Sequence, residues 1–191
     1  MSNNYIVGKT FNKENFTTTV LLRGEYENCQ FQNCDFSNTN LKEFRFLACE
    51  FLNCNLSLAN IFNTTLTDII FKDCKMLGLH FDQCNAFGFS VGFKNCLLDH
   101  STFYQKKIKN TSFSNSRLHE VDFTACDLTG SVFDGCDLLN AKFENTILEK
   151  TDFLTSFAYS ISPDLNKIKK AKFSLAGIAG LLAKYDIIIE D

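Results

Sequence analysis

The chain has 191 residues, with 22 acidic against 19 basic side chains and a formal net charge of −3. That length suits one domain with a substantial core, or two very small ones. Hydrophobic residues make up 45% of the chain, which excludes a disordered protein, and no apolar run approaches the ~20 residues of a membrane span. The apolar selection is unusual: 21 Phe and 9 Cys, with no Trp and a single Pro.

From the N-terminus, Met1-Ser2-Asn3-Asn4-Tyr5 carries no charged leader ahead of an apolar stretch, so no secretory signal is expected and a cytoplasmic, reducing setting is. A period of five then takes over. Stepping by five from Phe16 meets Leu21, Tyr26, Phe31, Phe36, Leu41, Phe46, Phe51, Leu56, Ile61, Leu66, Phe71, Met76 and Phe81. A second train runs Phe93, Leu98, Phe103, Ile108, Phe113, Leu118, Phe123, Leu128, Phe133, Leu138, Phe143, Leu148 and Phe153. Phe11 and Phe173 continue the trains at either end. Neither helical spacing nor strict alternation produces this pattern.

The residue two before each large one is usually small. Cys29, Cys34, Cys49, Cys54, Cys74, Cys84, Cys96, Cys126 and Cys136 all hold this place. A chain with two inward residues per pentamer, one large and one small, turns a corner every five residues, and four such segments close a coil of about 20 residues whose stacked turns pair at ~4.8 Å. The small slot prevents overfilling, and Cys suits it as a small hydrophobe. Cys34, Cys54 and Cys74, 20 residues apart, are expected to stack on one face. Phe44, a large residue in a small slot, is expected to bulge its face outward.

Between Phe81 and Phe93 the spacing is 12 instead of 10, an insertion of two residues. The break contains Ala86-Phe87-Gly88-Phe89-Ser90-Val91-Gly92, where Gly permits a bulge or a positive φ. Phe87 points outward in either register of the repeat and Phe89 in only one of them, so both are candidate partner contacts, with incidental surface cover as the alternative. Beyond the break the charge is uneven. Residues 118–153 hold eight acids, among them Asp122, Asp127, Asp134 and Asp137, against two lysines, a net −6; residues 94–117 and 164–184 each carry +4. The acidic stretch is a candidate partner surface steered by its field. The competing reading is that Asp before the large residue belongs to the repeat itself.

The last segment, 174–184, is expected to be helical: Leu175, Ile178, Leu181 and Leu182 fall at i, i+3, i+6 and i+7, with Ser174 as N-cap. Its apolar stripe either caps the open coil or also joins two chains about a two-fold axis.

Several units, Cys34-Asp35-Phe36-Ser37-Asn38, Cys126-Asp127-Leu128-Thr129-Gly130 and Cys136-Asp137-Leu138-Leu139-Asn140, resemble the pentapeptide-repeat pattern A(D/N)LXX. That resemblance implies an all-β fold, a right-handed quadrilateral β-helix of about eight coils over residues ~11–173 and on the order of 38 Å long, closed by a short helix and strand at 174–191, the whole forming one domain. Within this family three segments resemble the Qnr and McbG type: Val7-Gly8-Lys9 with Phe16; Cys74-Lys75-Met76-Leu77-Gly78-Leu79; and Ala171-Lys172-Phe173-Ser174 leading into the terminal helix and Ile187-Ile188-Ile189. The resemblance implies a cytoplasmic homodimer joined through the C-terminus. It also implies a DNA-mimicking rod that binds DNA gyrase or topoisomerase IV and protects it from quinolones or peptide toxins. Departures are the absence of the first projecting loop of the longer Qnr proteins and a second reduced to two residues, which puts loop-dependent protection in question. The alternative is a scaffold for another protein.

No catalytic, cofactor-binding or metal-binding residues are expected, nor direct nucleic-acid or membrane contact. His80, His100 and His119 sit at outward positions without a nucleophile beside them. The cysteines are five or more apart, unlike the short clusters that bind zinc, and inward parallel side chains in a reducing setting argue against disulfides.

Overall fold

The inward large residues stack coil on coil and build a four-sided parallel β-solenoid of about eight turns, shown by a computed structural model that describes residues 4–188. One side pairs strands Asn4–Val7, Gly24–Glu27, Arg45–Leu47 and Thr65–Thr67. The next side carries the nine-stranded ladder from Thr10–Asn12 to Lys172–Phe173. The other two sides are held by single parallel bridges such as Asp35↔Asn55 and Asn40↔Asn60. Partners are 20 residues apart before and after the break, and 22 apart across it, as in Phe71↔Phe93 and His80↔Thr102. The insertion is therefore two residues.

A ladder of phenylalanines runs the length of the nine-stranded side. Phe11, Phe31, Phe51, Phe71, Phe93, Phe113, Phe133, Phe153 and Phe173 stack in near-parallel pairs with centroids 4.7–5.5 Å apart. The opposite side presents Phe81, Phe103, Phe123 and Phe143, whose rings meet the ladder edge-on across the interior, as Phe113 and Phe123 do at 84°. Both arrangements are favoured by the ring quadrupole.

The nine cysteines are buried free thiols. The amides of Cys34 and Cys54 each donate to the sulfur one coil on, both at 3.4 Å, so the expected column of Cys34, Cys54 and Cys74 is formed. Phe44 departs from expectation. Its ring is buried, near-parallel to Tyr26 and Phe46, and the pairing of Arg45–Leu47 with its neighbour is unbroken. Gly24 occupies the same slot one coil earlier, where a Cβ would overlap Asn4.

Corners are made at the second residue after each large one, which adopts the left-handed conformation in nearly every pentamer; Asn28, Asn33, Asn38 and Asn53 have φ of 51–55°. Asn tolerates this region better than other non-Gly residues. Leu58, at φ 58° and exposed, does not. Leu58→Asn is expected to raise stability by about 1 kcal/mol, read as a shift in the urea midpoint at unchanged slope.

The two ends are closed differently. In the first coil the four small slots hold Asn4, Lys9, Glu14 and Thr19, and the Lys9 ammonium lies 4.7 Å over the Phe11 ring. Polar groups at inward positions of an end coil block edge-to-edge stacking. At the other end the chain is helical over Ala176–Ile178, Ala179–Leu182 and Ala183–Tyr185, with the Gly177 amide donating to Ser174 Oγ at 3.1 Å. The expected stripe divides. Gly177 and Gly180 lie against Tyr159, where a Cβ on either would overlap it, and Leu181 packs on the core. Leu175 and Ile178 face away, 87% and 41% exposed, while Leu182 is half-buried. Two small residues allow closer approach than leucines would, and that sets the docked face. Ile187 and Ile188 are exposed and lack regular structure; Ile189, the rest of the expected strand, lies outside the described residues. No described helix is long and apolar enough to cross a membrane.

Candidate functional site

The acids expected to form a partner surface are separated by the coil itself. Asp122, Asp127, Asp134 and Asp137 belong to four successive pentamers, so each lies on a different side of the rod: Asp122 bridges Thr102 and Lys142, Asp127 bridges Lys107 and Ile147, Asp137 bridges Arg117 and Phe157, and Asp134 lies in the Phe-ladder sheet. They form a belt around the rod, not a stripe along it.

Most of these carboxylates also have local work. Asp122, Asp127 and Asp137 each accept the amide two residues on, at 2.8–3.2 Å. This Asx-type turn is the physical reason for Asp or Asn at that place in the repeat. Burial pushes the Asp127 carboxyl up, but the Thr129 hydroxyl and the Lys109 ammonium, 3.1 Å away, outweigh it and hold the group below its ordinary value. Asp137 also contacts His119 Nε2 at 2.7 Å, and Asp134 accepts the Thr155 hydroxyl at 2.8 Å. His80 and His100 likewise face carboxylates, Asp82 at 3.4 Å and Glu120 at 3.3 Å. Among the described residues, no cluster of His, Cys, Asp or Glu is placed to hold a metal ion.

At the break the two phenylalanines part. Phe87 projects from the rod, 88% exposed, on a turn in which Gly88 takes φ +69° close against Thr67. Phe89 turns inward, half-buried and edge-on to Phe81 at 6.4 Å. The loop is pinned by Asp68, whose carboxylate accepts the Ser90 hydroxyl at 2.5 Å while its amide donates to the same oxygen at 2.7 Å.

Lys106 is a functional candidate that the periodicity alone left unnoticed. It fills a small inward slot and is 6% exposed. Its ammonium donates to the Cys84 carbonyl and lies 5.3 Å from the Phe89 ring centroid. Burial holds its pKa below the ordinary lysine value, with Cys84 and Asp82 acting in the opposite direction. The signal was present in Lys106-Lys107-Ile108-Lys109-Asn110, where a charge replaces the small residue found in the neighbouring pentamers.

Comparison with solved structures finds the same fold in a trypsin-treated form of QnrB1, a plasmid-mediated fluoroquinolone resistance protein, with a TM-score of 0.62 at 18% identity over 98% of each chain. A second trypsin-treated form gives 0.62 at 17% identity over 100% of each chain. Full-length QnrB1 gives 0.58 at 16% identity over 96% of this chain and 100% of that one. No curated protein matches the sequence. The sequence profile described as "Pentapeptide repeat region" matches residues 25–103 and 89–156, the stretch in which the inward pairs and left-handed corners recur. The chain belongs to the pentapeptide-repeat family.

Proposed function

We propose that the protein is a non-catalytic binder of bacterial type II topoisomerase, DNA gyrase or topoisomerase IV, that relieves poisoning of the enzyme by quinolones or peptide toxins. The observation that carries this reading is the extent of the likeness to QnrB1, which runs over 98% of both chains. The belt arrangement of Asp122, Asp127, Asp134 and Asp137 means that a flat basic surface meets few of these carboxylates at once. Rod shape and the projecting Phe87 therefore contribute more to the proposed contact than a DNA-like row of charge. Because those acids are engaged in turns and side-chain pairs, the second reading, a scaffold for another protein partner, remains the competitor. Purified protein added to gyrase supercoiling and drug-stabilised cleavage assays decides between them. The topoisomerase reading requires a change in at least one activity at micromolar protein, and no change in either transfers the case to the scaffold.

The C-terminal cap is proposed to pair two copies through its outward residues, Leu175 and Ile178, with Leu182 at the margin and Leu181 reserved for the core. Leu175→Asp is expected to halve the mass seen by light scattering while each chain stays folded, because that side chain is 87% exposed and makes little contact within its own chain. Equal masses for the two proteins remove this surface as the dimer interface.

A further inference from the structure

On the side of the coil that carries the insertion, the β-ladder is interrupted for one turn. Elsewhere on this side the residue before each large one bonds across to the preceding coil: the Thr65 amide to Phe44 oxygen, Asp127 to Lys106 and Ile147 to Cys126, each at 2.9 Å. Lys107 holds the same place in the coil after the break. Its pairing with Asp127 below is normal, through the Ile108 amide and the Asp127 carbonyl at 2.9 Å. Toward the break, neither its N–H nor its C=O meets a protein hydrogen-bond partner among the described residues. The Cys84 carbonyl, which its amide would take in a regular coil, is occupied by the Lys106 ammonium. The chain that would supply the returning amide swings out through Phe87 and rejoins the solenoid at Ser90, whose amide bonds to the Leu66 carbonyl at 3.0 Å.

Beside this open edge is a cleft of about 650 Å³ lined by Ile70, Phe89, Gly92, Lys107 and Lys109 among others. Ile70 is 48% exposed, and a Cβ on Gly92 would stand only 3.1 Å from its Cδ1, so the floor is apolar and bare. Lys107 is exposed and makes no ion pair among the described residues, and Lys109 shares Asp127. The two lysines flank Ile108 on the outward side, spaced by two residues of extended chain, roughly 6–7 Å.

We propose that this gap is a docking site for an extended, acidic segment of a partner protein, which restores the missing bridge to Lys107. Main-chain hydrogen bonds to an exposed edge supply register, and side chains supply choice, as in other strand additions. Carboxylates at alternate positions of the segment match the Lys107 and Lys109 spacing, and an apolar residue beyond the second carboxylate lies on Ile70 and Gly92, which share the column of Ser112. The buried Lys106 gives the gap its permanence, because a charge in a slot that is small and neutral in the following coils, Cys126 and Thr146, caps the carbonyl that would otherwise close it. The edge is present whichever partner the rod as a whole serves.

The test selects a random peptide library on the wild-type protein, counter-selected against Lys107→Glu, an exposed change expected to leave the thermal midpoint in place. Enriched peptides should carry Asp or Glu at two alternate positions followed by Val, Ile or Leu. A synthetic copy should lose about tenfold in affinity to Lys107→Glu and about as much on N-methylation of its central residue, and should slow exchange of the Lys107 amide. In the free protein that amide should exchange much faster than that of Asp127. Absence of enrichment, binding indifferent to both changes, or a Lys107 amide as protected as Asp127 in the free protein overturns the proposal. Binding that survives N-methylation but not Lys107→Glu does so too, because it reduces the site to simple charge attraction.

Discussion

Phe113→Ala is expected to cost about 3–5 kcal/mol, a large share of the total stability of an ordinary domain. Phe113 is fully buried at the middle of the ladder, stacked on Phe93 at 5.0 Å and Phe133 at 4.7 Å and edge-on to Phe103 and Phe123. Truncation removes all four ring contacts and leaves a cavity whose walls are held by backbone ladders and cannot collapse. In a solenoid each coil is stabilised mainly by its neighbours. The same change is therefore expected to weaken coupling between the two halves and broaden the urea transition or divide it in two. Phe87→Ala, at an exposed position, should change stability by no more than about 0.5 kcal/mol. Equal losses for the two variants would contradict the ladder as the main source of stability.

Alkaline pH should unfold the protein well before it affects an average domain. Burial pushes the thiols of Cys84, Cys126 and Cys136 up to about 12, and those of Cys34 and Cys49 to about 11, from an ordinary 9.0. Burial also raises the Tyr26 hydroxyl to about 12. Above pH ~9 the unfolded chain releases these thiol protons while the folded chain keeps them, so the folded state binds more protons and stability falls as pH rises. Each thiol contributes roughly 1.4 kcal/mol per pH unit across its window, which for Cys84, Cys126 and Cys136 together is about 6 kcal/mol by pH 10.5. Lys106 acts the other way. Its lowered pKa means that the unfolded chain holds the extra proton, so this one group adds stability with rising pH up to its ordinary 10.5, too little to reverse the trend. Urea titrations from pH 7 to 11 should show a flat region ending near pH 9 and a steep fall beyond it. Cys136→Ser should remain folded, since Ser116 and Ser156 hold the equivalent slot in adjacent coils, and should shallow the fall by one thiol's share. A stability profile level to pH 11 would mean that the thiols are not sequestered as placed.

Much of this is legible in the sequence. A residue's side of the rod follows from its remainder on division by five and by 20, so the Phe ladder, the cysteine column and the two-residue insertion all follow from spacing. Even the dispersal of Asp122, Asp127, Asp134 and Asp137 over four sides was implicit, since neighbouring pentamers occupy neighbouring sides. The left-handed corners could have been read from the recurrence of Asn two places after each large residue. Lys106 could have been read from a charge in a small slot.

Other features came from contacts between residues a full coil apart. Whether Phe44 bulged or was housed depended on Tyr26, from the preceding coil, on whose ring it stacks. Which face of the terminal helix docked depended on Tyr159 meeting Gly177 and Gly180, a matter of approach distance and not of hydrophobic period. Phe89 turned inward and Phe87 outward because Asp68, from the coil before, anchors Ser90. The open edge at Lys107 exists because a lysine ammonium took a carbonyl that the backbone takes in the regular coils. Sequence alone determined the repeat, the coil and the contents of the core, because a period of five leaves one inward arrangement that fills the interior without overfilling it. Tertiary structure decided the ends, the break and the partners of each surface charge, because there the period stops and competing contacts of similar energy are settled by neighbours about 20 residues away.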